Sequence, residues 1–336
     1  AKELLADPRI NGLSVLLPWR QLEPEETHYQ WQSIDKLLDL CQSANKSLIL
    51  RISTCGTDNT DNSGDTPKWV YDAGAKFVTF KSGGNERRMP VYWDSTYLAK
   101  WSNFINAMGE KYDKNPSVHS IGITGGGVGG GTAIIPEAGD KEQYDALDEK
   151  LKKEFGMNGH QLVEHWKYVA DLFPRAFKTA RLNFDIDPPT PNRAGENLLD
   201  EISDYLVYRY GERVYLTREN VSSAKHGFDQ YRVLLKFRPD TLTGYQLSSS
   251  FPSEDLSKLV KNSLDDGVSF AEVPANLISS KDQAVAAALD QLRAHLGYQL
   301  ISQKVTLPND IKSGDPLKAG FSFVNLGAAT PMRPSR

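Results

Sequence analysis

The sequence predicts an α/β chain built as a (β/α)8 TIM barrel with a short C-terminal β-rich segment. Three observations carry this reading. Strand-like apolar runs alternate with helix-period segments along most of the 336 residues. The runs are continuously apolar more than alternating, as strands covered on both faces are. After Leu296 the texture changes to short alternating runs separated by turn residues.

The strand-like runs fall at 12–17, 47–52, 118–124, 181–186, 213–216, 242–247 and 268–273. Helix-period segments lie between them, at 33–44, 96–112, 159–172, 195–210, 223–237, 255–264 and 281–296. Such alternation argues for βαβ units and a parallel sheet. Seven strands can be counted. Residues 1–7 read as the end of a helix leading into a strand, and the first residue is Ala1, so the chain reads as beginning inside a domain. Counting one strand before that helix brings the set to eight. A barrel one strand short exposes two sheet edges, a cost that another element has to meet. The barrel is expected over 1–296. Residues 297–336 are expected to form a partial β-sandwich, with the turn at Ile311-Lys312-Ser313-Gly314.

Composition narrows the function classes. Net charge is −4, so no basic footprint for nucleic acid is present. No apolar run approaches the ~18 residues of a membrane span. The two cysteines, Cys41 and Cys55, have no metal-ligand neighbours at zinc spacing and read as packed thiols, with a disulfide as the alternative. No metal site and no cofactor are expected. The glycine run Gly125–Gly131, G-G-G-V-G-G-G, lacks the Lys of a phosphate loop. It also lacks the immediate helix of a dinucleotide fingerprint, since Ala133-Ile134-Ile135-Pro136 follows. Glycines let backbone approach a ligand closely, and an open sugar cleft is the reading they support.

The most informative stretch is L-S-V-L-L-P-W-R-Q-L-E-P-E-E at 13–26, followed by His28-Tyr29-Gln30-Trp31. An apolar strand ends in Pro18-Trp19, an acidic turn follows, and a helix begins. With Leu22-Glu23-Pro24, Tyr29, Trp31 and Asp35, this segment resembles the W-x-x-x-E-P-x-x-G-x-Y-x-W segment of family-42 β-galactosidase-type glycoside hydrolases, and more broadly of clan A glycosidases. Leu48-Ile49-Leu50-Arg51 with Thr66-Pro67-Lys68-Trp69, and Trp93-Asp94 through Val118, extend the resemblance. It is specific between Leu13 and Thr124. It implies a barrel acting on a carbohydrate, in an extracellular or periplasmic setting given that substrate class.

The resemblance also implies a Glu acid/base ending strand four and a Glu nucleophile ending strand seven. Here strand four runs into the glycines, and strand seven carries Gln246. The pair does not transfer to those positions, so the chemistry is expected elsewhere on the C-terminal rim, where barrels of this kind keep their sites. Glycoside cleavage needs a protonated acid and a second carboxylate. Glu272, at the end of the last strand, and Glu219, at the end of 213–216, are the first candidates, and Asp187 is the next. Asp185 and Asp187 flank Ile186, so both are expected to point one way, as a pair able to split acid and base roles. Glu137, beyond the glycines, is a candidate to swing into the rim. Trp19, Trp69, Tyr92 and Trp93 are candidate sugar platforms. Arg51, Asp185 and Gln246 are candidate sugar-binding groups. Each has a structural alternative: an ion pair for Glu272 and Arg51, a helix cap for Glu219, loop anchoring for Asp185 and Asp187, and core packing for the aromatics. A carbohydrate-binding barrel without catalysis is the alternative for the whole chain.

Overall fold

The computed structural model describes residues 1–56, 64–82, 84–136, 141–191, 193–221, 228–248, 253–314 and 316–332, with backbone alone at 220, 228–232 and 253–254. Glu137 lies outside the described residues. The strands are β1 (Gly12–Pro18), β2 (Ser47–Ser53), β3 (Phe77–Ser82), β4 (Asn85–Pro90), β5 (Val118–Gly122), β6 (Arg181–Ile186), β7 (Val214–Val221), β8 (Thr243–Leu247), β9 (Phe270–Glu272), β10 (Leu300–Thr306) and β11 (Gly320–Asn325). The helices are α1 (Lys2–Ala6), α2 (Trp19–Leu22), α3 (Gln32–Ser43), α4 (Lys68–Asp72), α5 (Ser95–Tyr112), α6 (Lys141–Phe155), α7 (Gly159–Ala176), α8 (Arg193–Tyr210), α9 (Phe228–Phe237), α10 (Ser253–Asp265), α11 (Ala275–Ile278) and α12 (Gln283–His295).

Seven strands form one all-parallel sheet in chain order, β1-β2-β5-β6-β7-β8-β9. Each connection carries at least one helix, which is the (β/α) barrel arrangement expected from the sequence. Among the described residues β1 and β9 each pair on one side only, so they bound the sheet as two edges.

Side chains alternate across this sheet. On β2, Leu48, Leu50 and Ile52 are buried in the core shared with the helices. Ile49 and Arg51 line the central cavity instead. Helix starts are fixed locally. The Asp94 carboxylate accepts from the Tyr97 N–H at 3.0 Å to open α5, and Asn158 Oδ1 accepts from the Gln161 N–H at 3.0 Å to open α7. One face of α3 buries Ile34, Leu38 and Cys41 at helical spacing. Cys41 and Cys55 are buried free thiols, not a disulfide.

Two pieces fall outside the strand–helix alternation. The antiparallel hairpin β3–β4 sits between β2 and α5. The antiparallel hairpin β10–β11 follows α12, within the β-rich C-terminal segment. Every residue of β10 is exposed.

Candidate active site

The site is built around Arg51, which sits on β2 and points to the barrel axis. Its guanidinium is buried, and five N–H donors in a fixed fork need partners. Nε meets Asp185 Oδ2 at 2.6 Å, and Nη2 donates to Asp185 Oδ1 at 3.1 Å. Nη2 also donates to Glu272 Oε1 at 2.7 Å and Nη1 to Glu272 Oε2 at 3.0 Å, a bidentate pair. Nη1 donates to Ser14 Oγ at 2.6 Å, and Nη2 reaches Asn183 Oδ1. The Asn183 amide in turn donates to Thr217 Oγ1. One cation thus joins β1, β2, β6 and β9. Room for its stem comes from Gly122 on β5, where an added Cβ would meet Arg51 Cγ at 2.5 Å.

Strand alternation explains the convergence. Asn183 and Asp185 on β6, Thr217 and Glu219 on β7, and Gln246 and Glu272, register partners on β8 and β9, occupy axis-facing positions at successive heights. Glu219 hydrogen-bonds Asp185, and Glu272 adds a third carboxyl group nearby. Three carboxyl groups around one buried guanidinium cannot all ionise cheaply. Burial pushes Asp185 well above the ordinary carboxylate range, against the opposing pull of Arg51. Burial raises Glu219 as well, opposed by its bond to Asp185 and by the charge of Arg51. Burial alone would weaken the charge on Arg51, but Asp185 and Glu272 outweigh it, and its proton is held more firmly than usual.

The glycine run is a roof over these acids. A Cβ on Gly131 would lie 3.1 Å from Glu219 Oε2, and one on Gly130 would lie 3.3 Å from Asp185 Oδ2. Gly125 has φ +84° with the Trp101 indole 2.2 Å from where its Cβ would be, a place only glycine fills. The Tyr97 hydroxyl donates to the Gly125 carbonyl at 2.7 Å, and His165 Nε2 meets the Gly126 carbonyl at 3.0 Å. Burial lowers His165 to about 4, so the ring is neutral and Nε2 carries the donated proton. The run therefore covers the acids closely, where the sequence suggested an open cleft. A cavity of about 1150 Å³ opens below it, lined by Arg51, Glu219, Gln246 and Glu272 at one end. Among the described residues the Gln246 Nε2 has no hydrogen-bond partner, and no group of three potential ligands for a metal ion occurs.

The remaining candidates lie elsewhere. Asp187 does not pair with Asp185: β6 stops at Ile186, and Asp187 forms an ion pair with Arg218. Its N–H donates to Thr132 Oγ1 at 2.8 Å. It anchors the loop after β6. Asp185 is 1% exposed, beneath Glu219 and too deep to meet a sugar. Trp19 is completely buried, edge-on to Trp69 at 5.8 Å and to Trp101 at 5.0 Å. Its N–H donates to Glu23 Oε2 at 2.8 Å, and Glu23 Oε1 accepts from the Thr27 N–H at 2.9 Å, shaping the acidic turn. Trp19 and Tyr92, both completely buried, are core and not platforms. Trp69 and Trp93 are half-buried, with their N–H groups committed to the carbonyls of Glu23 (3.0 Å) and Phe155 (2.7 Å). Sequence reasoning passed over Ser14 and Asn183. The signal for Asn183 was present: two polar residues two apart in R-L-N-F-D-I share one face of an apolar strand.

Residues 3–125 match the family model of glycoside hydrolase family 42, described as beta-galactosidase. Among solved structures the chain is similar to the catalytic domain of beta-amylase from Paenibacillus polymyxa. The TM-score is 0.62 at 10% identity, over 87% of this chain and 93% of that one. The chain shares the (β/α) barrel fold of that domain. It is also similar to the cold-adapted beta-galactosidase from Rahnella sp. R3, with a TM-score of 0.51 and 12% identity over 87% of this chain. It spans 52% of that galactosidase. No curated protein matches the chain. Similarity in sequence to that family thus covers residues 3–125, and beyond them the likeness is one of fold.

Proposed function

We propose that this chain hydrolyses O-glycosidic bonds in a poly- or oligosaccharide, with Glu219 and Glu272 as its working carboxyl pair. The observation that carries this is their convergence with Asp185 on Arg51 at one end of the cavity. Glycoside cleavage uses one carboxyl that keeps its proton and one that stays ionised. Glu219, raised by burial and reachable from the cavity, suits the general acid. Glu272, gripped by both terminal nitrogens of Arg51, suits the carboxylate that acts as nucleophile or base. Arg51, Asn183 and Asp185 are positioning residues. Gln246 lines the same cavity and suits a sugar hydroxyl. A substrate of this class goes with an extracellular or periplasmic setting and with polysaccharide degradation.

The test is turnover of aryl glycosides and oligosaccharides by Glu219→Gln and Glu272→Gln. Each variant is expected to lose ~100-fold or more, the scale of a lost proton-transfer group. The general acid works only while protonated, so the alkaline limb of the wild-type rate profile should fall as pH rises through the raised value of Glu219. Glu219→Gln should abolish that limb. Wild-type turnover in both variants would remove the pair from the mechanism. The glycine roof, standing where related barrels place an acid, favours a second reading: carbohydrate binding without cleavage. Oligosaccharide binding by calorimetry, with no turnover in the wild type, would select it.

A further inference from the structure

The glycine roof rests on Glu219, and one buried hydroxyl holds it there. The first half of the roof is tied to the elements around it. The Gly129 N–H donates to the Cys55 carbonyl at 2.8 Å, and Tyr97 and His165 hold the carbonyls of Gly125 and Gly126. Past Gly129 the chain turns over the acids. Inside that turn the Gly131 N–H donates to the Val128 carbonyl at 3.1 Å, and the Val128 N–H to the Ala133 carbonyl at 2.8 Å. These two bonds shape the turn without attaching it to the barrel.

Thr132 makes the attachment. It is fully buried. A hydroxyl can give one hydrogen bond and accept two, and this one does both with a single residue. Its Oγ1 donates to the Asp187 carbonyl and accepts from the Asp187 N–H at 2.8 Å. Asp187 is itself fixed. Its carboxylate pairs with Arg218, and Arg218 also donates to the Ile186 carbonyl at 2.8 Å. Arg218 is the residue before Glu219, so the contacts close a ring. They run from Glu219 through Arg218, Asp187 and Thr132 to Gly131, where an added Cβ would lie 3.1 Å from Glu219 Oε2. Backbone that close leaves no room for a layer of water over that oxygen.

We propose that Thr132 is a positioning residue, whose hydroxyl holds the glycine roof on Glu219 and keeps water off that carboxyl. Its bearing on turnover rests on the reading of Glu219 as the general acid. The charged and titrating groups around Glu219 are Asp185 on β6, Arg51 on β2, Glu272 on β9 and its own neighbour Arg218. The roof adds no charge, since residues 125–132 are glycines, Val128 and Thr132. Burial is the largest influence raising Glu219. An uncharged replacement of Thr132 therefore changes the water around Glu219 and none of those charges.

The test is Thr132→Val, which keeps the shape and loses both hydrogen bonds, beside Thr132→Ser, which keeps both. The readout is the titration of the Glu219 carboxyl, followed by NMR in the intact chain with isotope-labelled glutamate. Its signal is assigned by its loss in Glu219→Gln. In Thr132→Val the midpoint should fall by about one pH unit or more, as water reaches the carboxyl. In Thr132→Ser it should stay at the wild-type value. The alkaline limb of turnover should move with the midpoint. An unmoved midpoint in Thr132→Val, whatever its melting temperature, makes Thr132 merely structural and overturns the proposal. A serine variant that behaves like the valine one overturns it too. Should Thr132→Val fail to fold, the wild type decides. The Asp187 amide, spent on Thr132, should exchange ~100-fold more slowly than an open peptide; protection there supports the proposal, and free exchange overturns it. The titration needs no substrate. A wild type without turnover would remove the acid role and leave the hold of the roof intact, while an unmoved midpoint would remove the hold and leave the acid.

Discussion

Strands β1 and β2 lie side by side and are nearly the same kind of sequence, GLSVLLP against SLILRIS. In β2, Leu48 and Leu50 are fully buried and Ile52 is 1% exposed. In β1 no residue is fully buried. Composition sets what a strand can bury, and its neighbours decide how much it does. Among the described residues β2 has ladders on both sides, whereas β1 has one. The same contrast separates the polar groups: those on β2, β6 and β7 are knitted together under the glycine roof, while β1 joins them through Ser14, whose Oγ accepts from Arg51.

The largest effect should come from the residue tying the two regions together. Arg51→Met leaves Asp185 and Glu272 without their cation and should cost about 3–5 kcal/mol in urea unfolding. If it costs nothing, the cluster is not what holds the covered strands to the edge strands. Next, Leu50→Ala on β2 should cost about 2–5 kcal/mol. The third effect is a pH dependence beneath the roof. His165 stays neutral in the fold down to about 4, whereas the unfolded chain takes its proton near 6.5. Below 6.5 the unfolded state binds the proton that the folded state refuses. The His165 contribution is therefore intact above 6.5 and shrinks as pH falls towards 4, by about 3 kcal/mol at ~1.4 kcal/mol per pH unit. His165→Gln should flatten that slope in thermal melts. The smallest effect should be at Leu16, 48% exposed among the described residues: Leu16→Ser should stay within about 0.5 kcal/mol. A cost near that of Leu50→Ala would mean that Leu16 packs against more of the protein than those residues show.

The sheet was legible because its strands are apolar runs and its helices show wide stripes. Helix α6 escaped because it buries only Leu147 and Leu151, a single i,i+4 pair, in an otherwise charged segment. The hairpin β3–β4 escaped because Arg87, buried within it, breaks the alternation that marks a strand. In the site, Glu219 and Glu272 stood out as acids at the ends of apolar strands. Asp187 misled because β6 ends one residue before it, after which Arg218 decides its direction. Trp19 misled because an indole at a strand end fits a platform and a core equally well. Only Trp69, Trp101 and Phe104 packed around it settle the matter.

Arg51 also carries a kinetic consequence. Its partners Asp185 and Glu272 lie 134 and 221 residues further along the chain. Contacts so distant in sequence form only after the intervening chain has been organised, since loop closure comes first. The cluster therefore snaps shut late, past the folding barrier, and its strength is felt mainly as a brake on opening. A weakened Arg51 variant would fold at nearly the original rate and come apart faster, shortening the lifetime of the native state rather than delaying its birth.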